Sequence, residues 1–333
     1  MAVVRRNIVT TPTANTDYIQ GVKALKNEIL PNALTTADFG IPGTATKVRT
    51  YDLFVIWHHR AMTRETPPGN KRRNAAHGGP VFLPWHRFML ILLEQHIQRV
   101  LGKPSFGLPY WDWAKDGEYS AVAQQTRPIW GQTRMGGNGT PTPSPTPGKD
   151  DTFPVKMGPF REGGGWVVRI EQNATMGTLL QTNRPLERHF SGGALAKRTD
   201  VANALTKTPY DAAPWDRASA GFRNHLEGWP ADSGGRLHNG VHMWIEGDMA
   251  LGTSPNDPIF YLHHCNVDRI WAAWQQAHPG TPAQSYLPPQ SASSLLAGHR
   301  IDDDMYALLS LTMKPRAMLN VASVYSYDSL TVS

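Results

Sequence analysis

The 333-residue chain has little cysteine: Cys265 stands alone. An intramolecular disulfide is impossible, so the fold gives no hint of an oxidising compartment. No apolar run approaches the length of a membrane span, and the opening MAVVRRNIVTTP lacks the apolar core of a signal peptide. A soluble protein is expected, cytoplasmic or secreted with the help of a partner. Charge of one sign is not in large excess either, with 33 basic against 27 acidic residues, a net charge of +6 and no long basic run. Neither a nucleic acid nor a membrane is expected as a partner.

Histidine is what the chain has, and it is unevenly placed. All of the 13 histidines except His189 and His299 fall in two blocks, His58 to His96 and His225 to His278. The first block reads YDLFVIWHH and then AHGGPVFLPWHRFMLILLEQ, carrying His58, His59, His77 and His86. The second reads LHNGVHMWIEGDMALGTSPNDPIFYLHHCNVDRIW, carrying His238, His242, His263 and His264. Imidazole suits copper, zinc, iron and nickel rather than magnesium or calcium, and this pattern points to copper. His238 and His242, four apart, share one face of a helix and can grip one ion together.

Helix signals place the other histidines. Asp257 before Pro258 is a strong start, after which Phe260, His264, Val267, Trp271 and Trp274 form an apolar stripe that stops near Pro279 and Gly280. Pro84 is expected to open a second helix, with His86, Leu90, Leu93, Ile97 and Val100 on its inner face and Gly102 closing it. His58 follows Tyr51, Phe54 and Val55 on a third amphipathic stretch. The expected fold is mainly α: a central four-helix bundle housing a metal site to which each helix gives imidazole, with long irregular loops and few short strands. Because the two half-sites lie far apart in sequence and must meet, residues 1–333 are read as a single domain, and 40% hydrophobic residues can supply its core. Trp57, Trp85, Trp244 and Trp271 stand beside the histidines as packing groups. A zinc protease needs a glutamate directly after the first histidine of HxxxH, where this chain has Asn239.

These strings resemble the two copper signatures of the type-3 copper proteins, most closely those of bacterial tyrosinases and polyphenol oxidases. Shorter matches extend the resemblance: PYWDW at 109–113, GPFREGGGW at 158–166, FRNHLEGW at 222–229 and YSYD at 325–328. It implies two copper ions per chain, one held by His58, His77 and His86 and the other by His238, His242 and His264, with dioxygen as co-substrate. His59 and His263 are then spare members of their pairs, while His96, His189, His225, His278 and His299 match no ligand position. Plant and fungal relatives often join a cysteine to the second ligand histidine; Ala75 occupies that position, as in the bacterial branch. Cys265 is read as a small buried residue.

The resemblance further implies oxidation of small phenols: hydroxylation of monophenols to o-diphenols, and oxidation of o-diphenols to o-quinones. Glu227 and Asn239 match the pair to which the family's proton-accepting water is attributed, and an insertion, PADSGG, follows Trp229. Ser254, small and polar, falls in the loop governing substrate access. The alternatives are an o-diphenol or o-aminophenol oxidase with little monophenolase activity and, in another class, a haemocyanin-like dioxygen carrier. A copper-delivering chaperone is left open as a partner. The glycine-, proline- and threonine-rich stretch 136–151 is expected to be a surface loop. Arg5 or Arg6 is expected against the tyrosine motif, and with the sequence ending soon after Tyr327 an unmasked catalytic domain is expected.

Overall fold

The computed structural model describes the chain except residues 1, 31–33, 144–150, 174, 176, 230–236, 281–285 and 332–333. The insertion after Trp229 lies outside the described residues, as does the middle of the 136–151 stretch. The flanks of that stretch pair with each other, through bridges of Gly139 with Val155 and Thr142 with Thr152.

In order, the elements are β1 (Val3–Arg5), α1 (Pro12–Asn27), α2 (Thr50–Thr63), α3 (Phe82–Leu101), α4 (Trp113–Asp116), α5 (Ala121–Gln124), β2 (Val168–Gln172), β3 (Leu179–Arg184), α6 (Arg198–Leu205), α7 (Phe222–Glu227), α8 (Leu237–Ile245), α9 (Ile259–Ala277) and β4 (Tyr325–Tyr327). The protein is mainly helical. Strands form two small sheets: β1 runs parallel to β4, pairing Val3 with Tyr325 and Arg5 with Tyr327, and β2 pairs antiparallel with β3. No helix among the described residues is long and apolar enough to cross a membrane.

The expected apolar stripes understate how deeply the helices are sunk. Every residue of α9 from Ile259 to Trp271 is buried, as in a helix that passes through a core rather than over it. Its first turn is capped as expected, Asp257 accepting from the backbone N–H of Ile259 at 3.1 Å. α3 begins at Phe82, two residues before Pro84; proline is tolerated there because first-turn N–H groups have no partner within the helix. Gly102 ends it with φ +61°, and its N–H and that of Lys103 donate to the carbonyls of Arg99 and Gln98. α3 packs on α9, and α1 lies against both α2 and α3. At the α1–α3 contact a Cβ on Gly21 would come within 2.4 Å of Ile97, so glycine permits the close approach. Trp85 and Trp271 are fully buried in this core, with Trp57 and Trp244 nearly so.

One buried polar network ties the chain's two ends to the helices. Arg5, fully buried, pairs with Glu94 on α3 and Asp268 on α9 at 2.9 and 3.2 Å, and its guanidinium lies 3.5 Å over the Tyr325 ring. Asp268 also accepts from Arg87 and from the hydroxyls of Tyr325 and Tyr327. Burial pushes the Asp268 carboxyl up, but Arg87 and Arg5 outweigh it and hold it below its usual range. Arg5, rather than Arg6, is the arginine of the tyrosine motif.

Candidate metal centre

Four helices bring imidazoles into this core: α2 gives His58, α3 gives His86, α8 gives His238 and His242, and α9 gives His264. His77 comes from the loop before α3. His58, His77 and His86 form one group and His238, His242, His263 and His264 another, each group offering one ligand atom per residue, all within 4.8 Å of one another. The groups touch, since the rings of His86 and His264 stack with centroids 4.2 Å apart. Every sequence-predicted metal ligand is therefore brought together.

In four of the six rings the outer nitrogen fixes which atom is presented; Nδ1 of His77 and of His264 has no hydrogen-bond partner. The Nδ1 atoms of His58, His86 and His242 donate to the carbonyls of Gly252, Phe82 and Met249, each at 2.7 Å. A neutral imidazole that donates from Nδ1 carries a bare lone pair on Nε2. His238 Nδ1 lies 3.0 Å from Asn239 Oδ1, and because Asn239 Nδ2 is used on the Gly228 carbonyl, His238 is again the donor. The buried Nε2 atoms of His58 and His86 have no hydrogen-bond partner. Those of His238 and His242 both face His264 Nε2, at 3.3 and 3.4 Å. One hydrogen on His264 could satisfy only one of them.

A metal ion explains this convergence. Two imidazole nitrogens about 2.0–2.1 Å from one ion and a tetrahedral angle apart stand about 3.3–3.4 Å from each other. The donor set is neutral throughout: burial pushes His58 down to about 3 and His242 to about 4, and lowers the other four well below the ordinary value. Neutral imidazole is the form that binds metal. The carbonyls orienting it carry no sequence signal, because any residue type supplies one.

Of the spare histidines, His263 stays beside the second group, with both ring nitrogens buried and without a hydrogen-bond partner, while the others lie apart from the two groups. His59 turns away, its Nε2 against the Gly177 carbonyl at 2.8 Å. His263 is fully buried and stacks on His238 at 5.1 Å. His299 is buried elsewhere, with Nε2 2.6 Å from Thr66 Oγ1, and His189 pairs with Glu246. Cys265 is buried, its thiol pushed up to about 12, mainly by burial.

A cavity of about 290 Å³ opens onto the two groups. Its wall includes His58, His77, His238, His242, Asn239 and Ser254, together with Arg217, Trp229 and the three methionines Met62, Met243 and Met249. This is the low end of small-ligand pockets and fits a single substituted ring. Ser254 sits on a well-anchored loop: Tyr51 donates to the Pro255 carbonyl, Trp166 to that of Asn256, and Arg188 pairs with Asp257. Glu227 is placed less directly than its expected role suggests. It is fully buried, with Oε1 accepting from the Gly78 N–H at 2.7 Å and Oε2 from Arg223 at 2.9 Å, and it is not among the residues lining the cavity. Burial raises its pKa, against the pull of Arg223.

Comparison with known proteins agrees with this site. Residues 48–277 match the family described as the common central domain of tyrosinase. A tyrosinase of Streptomyces antibioticus is 35% identical over 288 residues, covering 84% of this chain and 89% of that one. Grixazone synthase of Streptomyces griseus is 37% identical over 259 residues, covering 72% and 78%. In fold, the chain resembles a mutant polyphenol oxidase from Thermothelomyces thermophila, with a TM-score of 0.70 at 23% identity over 98% of this chain and 88% of that one. It also resembles an octopus hemocyanin functional unit, with a TM-score of 0.53 at 18% identity over 99% and 69%.

Proposed function

The chain belongs to the tyrosinase family, and from that premise we propose that it hydroxylates small monophenols to o-diphenols and oxidises o-diphenols to o-quinones. It is a type-3 copper oxidase that acts on phenols. In our reading His58, His77 and His86 hold one copper, and His238, His242 and His264 the other. The observation that carries this is the approach of the His238 and His242 lone pairs to His264 Nε2 at 3.3 and 3.4 Å. When bound, the copper pair supplies two electrons together to one dioxygen molecule.

The protein's own residues have three tasks. The first is rigidity: four backbone or amide acceptors hold four of the six imidazoles, His58, His86, His238 and His242, which limits their rearrangement on metal binding. The second is to exclude water and orient the ring, for which the cavity's methionines, Leu251 and Trp229 are suited, with Ser254 leaving the entrance unblocked. The third is to take a proton. A phenol with a pKa near ~10 arrives protonated, and a water held by Asn239 and Glu227 is the acceptor we assign. Asn239 lines the cavity and touches the Gly228 carbonyl, next to Glu227. Glu227 Oε1 accepts from the Gly78 N–H and Oε2 from Arg223, and a carboxylate oxygen has a second lone pair that can accept from a water.

A second reading is favoured by that same carboxylate. Because Glu227 lies behind the wall and is already held by Gly78 and Arg223, an enzyme largely limited to o-diphenols or o-aminophenols has support. Steady-state oxygen uptake by the copper-loaded protein with a monophenol and with its catechol separates the two. Uptake with the catechol alone establishes the second reading.

A further inference from the structure

Among the described residues the cavity wall contains one permanent charge, and it is not part of the metal site. Arg217 lines the cavity together with His58, His77, His238 and His242, and no aspartate or glutamate does so among the described residues. Its guanidinium lies 4.2 Å over the ring of Trp229, another wall residue. Stacking fixes the plane of the group and leaves its edge N–H donors free. Its stem is held as well: a Cβ on Gly78 would come within 3.2 Å of Arg217 Cγ and Nε, so the glycine after His77 lets the arginine lie against the ligand loop. Four buried arginines, Arg5, Arg87, Arg188 and Arg223, pair with carboxylates. Arg217 is exposed and has no ion-pair partner among the described residues.

We propose that Arg217 makes this site selective for phenols and catechols that carry a carboxylate on the ring substituent. The inference rests on phenol oxidation as proposed above. A ring whose hydroxyl end points to the histidines directs its substituent to the rim, where a carboxylate can accept two parallel hydrogen bonds from the guanidinium edge. Nothing acidic on the described wall opposes the anion, and a positive rim raises its encounter rate. The other wall residues, methionines, Trp229, Ala250 and Leu251 among them, suit the ring itself.

The test uses the full-length, copper-loaded protein and two catechols of matched shape, 3,4-dihydroxyphenylpropionate and its neutral methylamide. Catechols keep the result independent of monophenol hydroxylation. The unmodified enzyme is expected to prefer the carboxylate in kcat/KM by about tenfold, the scale of one charge-assisted contact at an exposed rim. Arg217→Gln should bring the ratio of the two close to one, chiefly through KM, and Arg217→Lys should restore part of it. An unchanged ratio in Arg217→Gln would overturn the proposal. Should that variant not fold, raising the ionic strength on the unmodified enzyme decides, since the ratio must fall as the exposed charge is screened; a constant ratio overturns it. Equal use of both catechols by the unmodified enzyme defeats the Arg217 proposal alone. Failure to oxidise either defeats the phenol-oxidation reading and this proposal with it.

Discussion

Asn239 Oδ1 lies 3.0 Å from Nδ1 of His238, so the residue assigned to hold the proton-accepting water also sets the tautomer of an adjacent ligand histidine. One side chain thus serves metal and substrate, and its removal should be felt in both.

Asn239→Ala is expected to weaken copper binding by about 10- to 100-fold, the usual cost of losing a group that orients a ligand imidazole. At saturating copper a second effect should remain, a larger loss of monophenol hydroxylation than of catechol oxidation. Copper titration followed by oxygen uptake with both substrates checks this. Full recovery of both activities at high copper would confine Asn239 to orienting His238.

Glu227→Gln tests the other half of the assignment. The amide keeps the shape and can still accept from the Gly78 N–H, but it removes the negative charge that faces Arg223. Hydroxylation of a monophenol should fall well below that of the native protein, while oxidation of the matching catechol, which gives up its proton more readily, falls less. Equal losses, with a lowered melting temperature, would mean that Glu227 acts only as structural support for the His77 loop.

Asp268→Asn should destabilise the fold by about 3–5 kcal/mol, because it leaves Arg5 and Arg87 buried without their shared carboxylate. The pH dependence has a definite sign. The folded carboxyl is held below the ordinary value of 3.8, so its stabilising contribution is complete above that value and is lost as pH falls through the lower folded one. Denaturant melts on acidification below about pH 4 should therefore weaken the native protein more than the variant.

The sequence revealed the site better than its surroundings. His238 and His242 were legible because four-residue spacing on a helix is a geometric statement, and His264 because its stripe with Phe260, Val267 and Trp271 faces the core. The capping role of Asp257 was legible for the same local reason. The start of α3 was read two residues late because a proline in the first turn does not say which of the first positions it holds. The carbonyls of Gly252, Phe82 and Met249 could not be read at all, since a backbone acceptor is chosen by the fold and not by the side chain. Arg217 and Trp229 escaped for a related reason: their stacking joins residues with no periodic relation. The depth of Glu227 was equally hidden, because α7 is too short to show which face it buries.

Copper content is the most direct test of the account. After copper loading and removal of free metal, the native protein should hold two coppers per chain, while His86→Ala and His264→Ala should each lose tight binding of one copper and all catechol oxidation. His299→Ala, which removes a buried ring bound to Thr66, should melt at a lower temperature yet retain both ions. A single tightly bound metal in the native protein, or two coppers retained in His86→Ala and His264→Ala, would contradict the assignment of the two histidine triads.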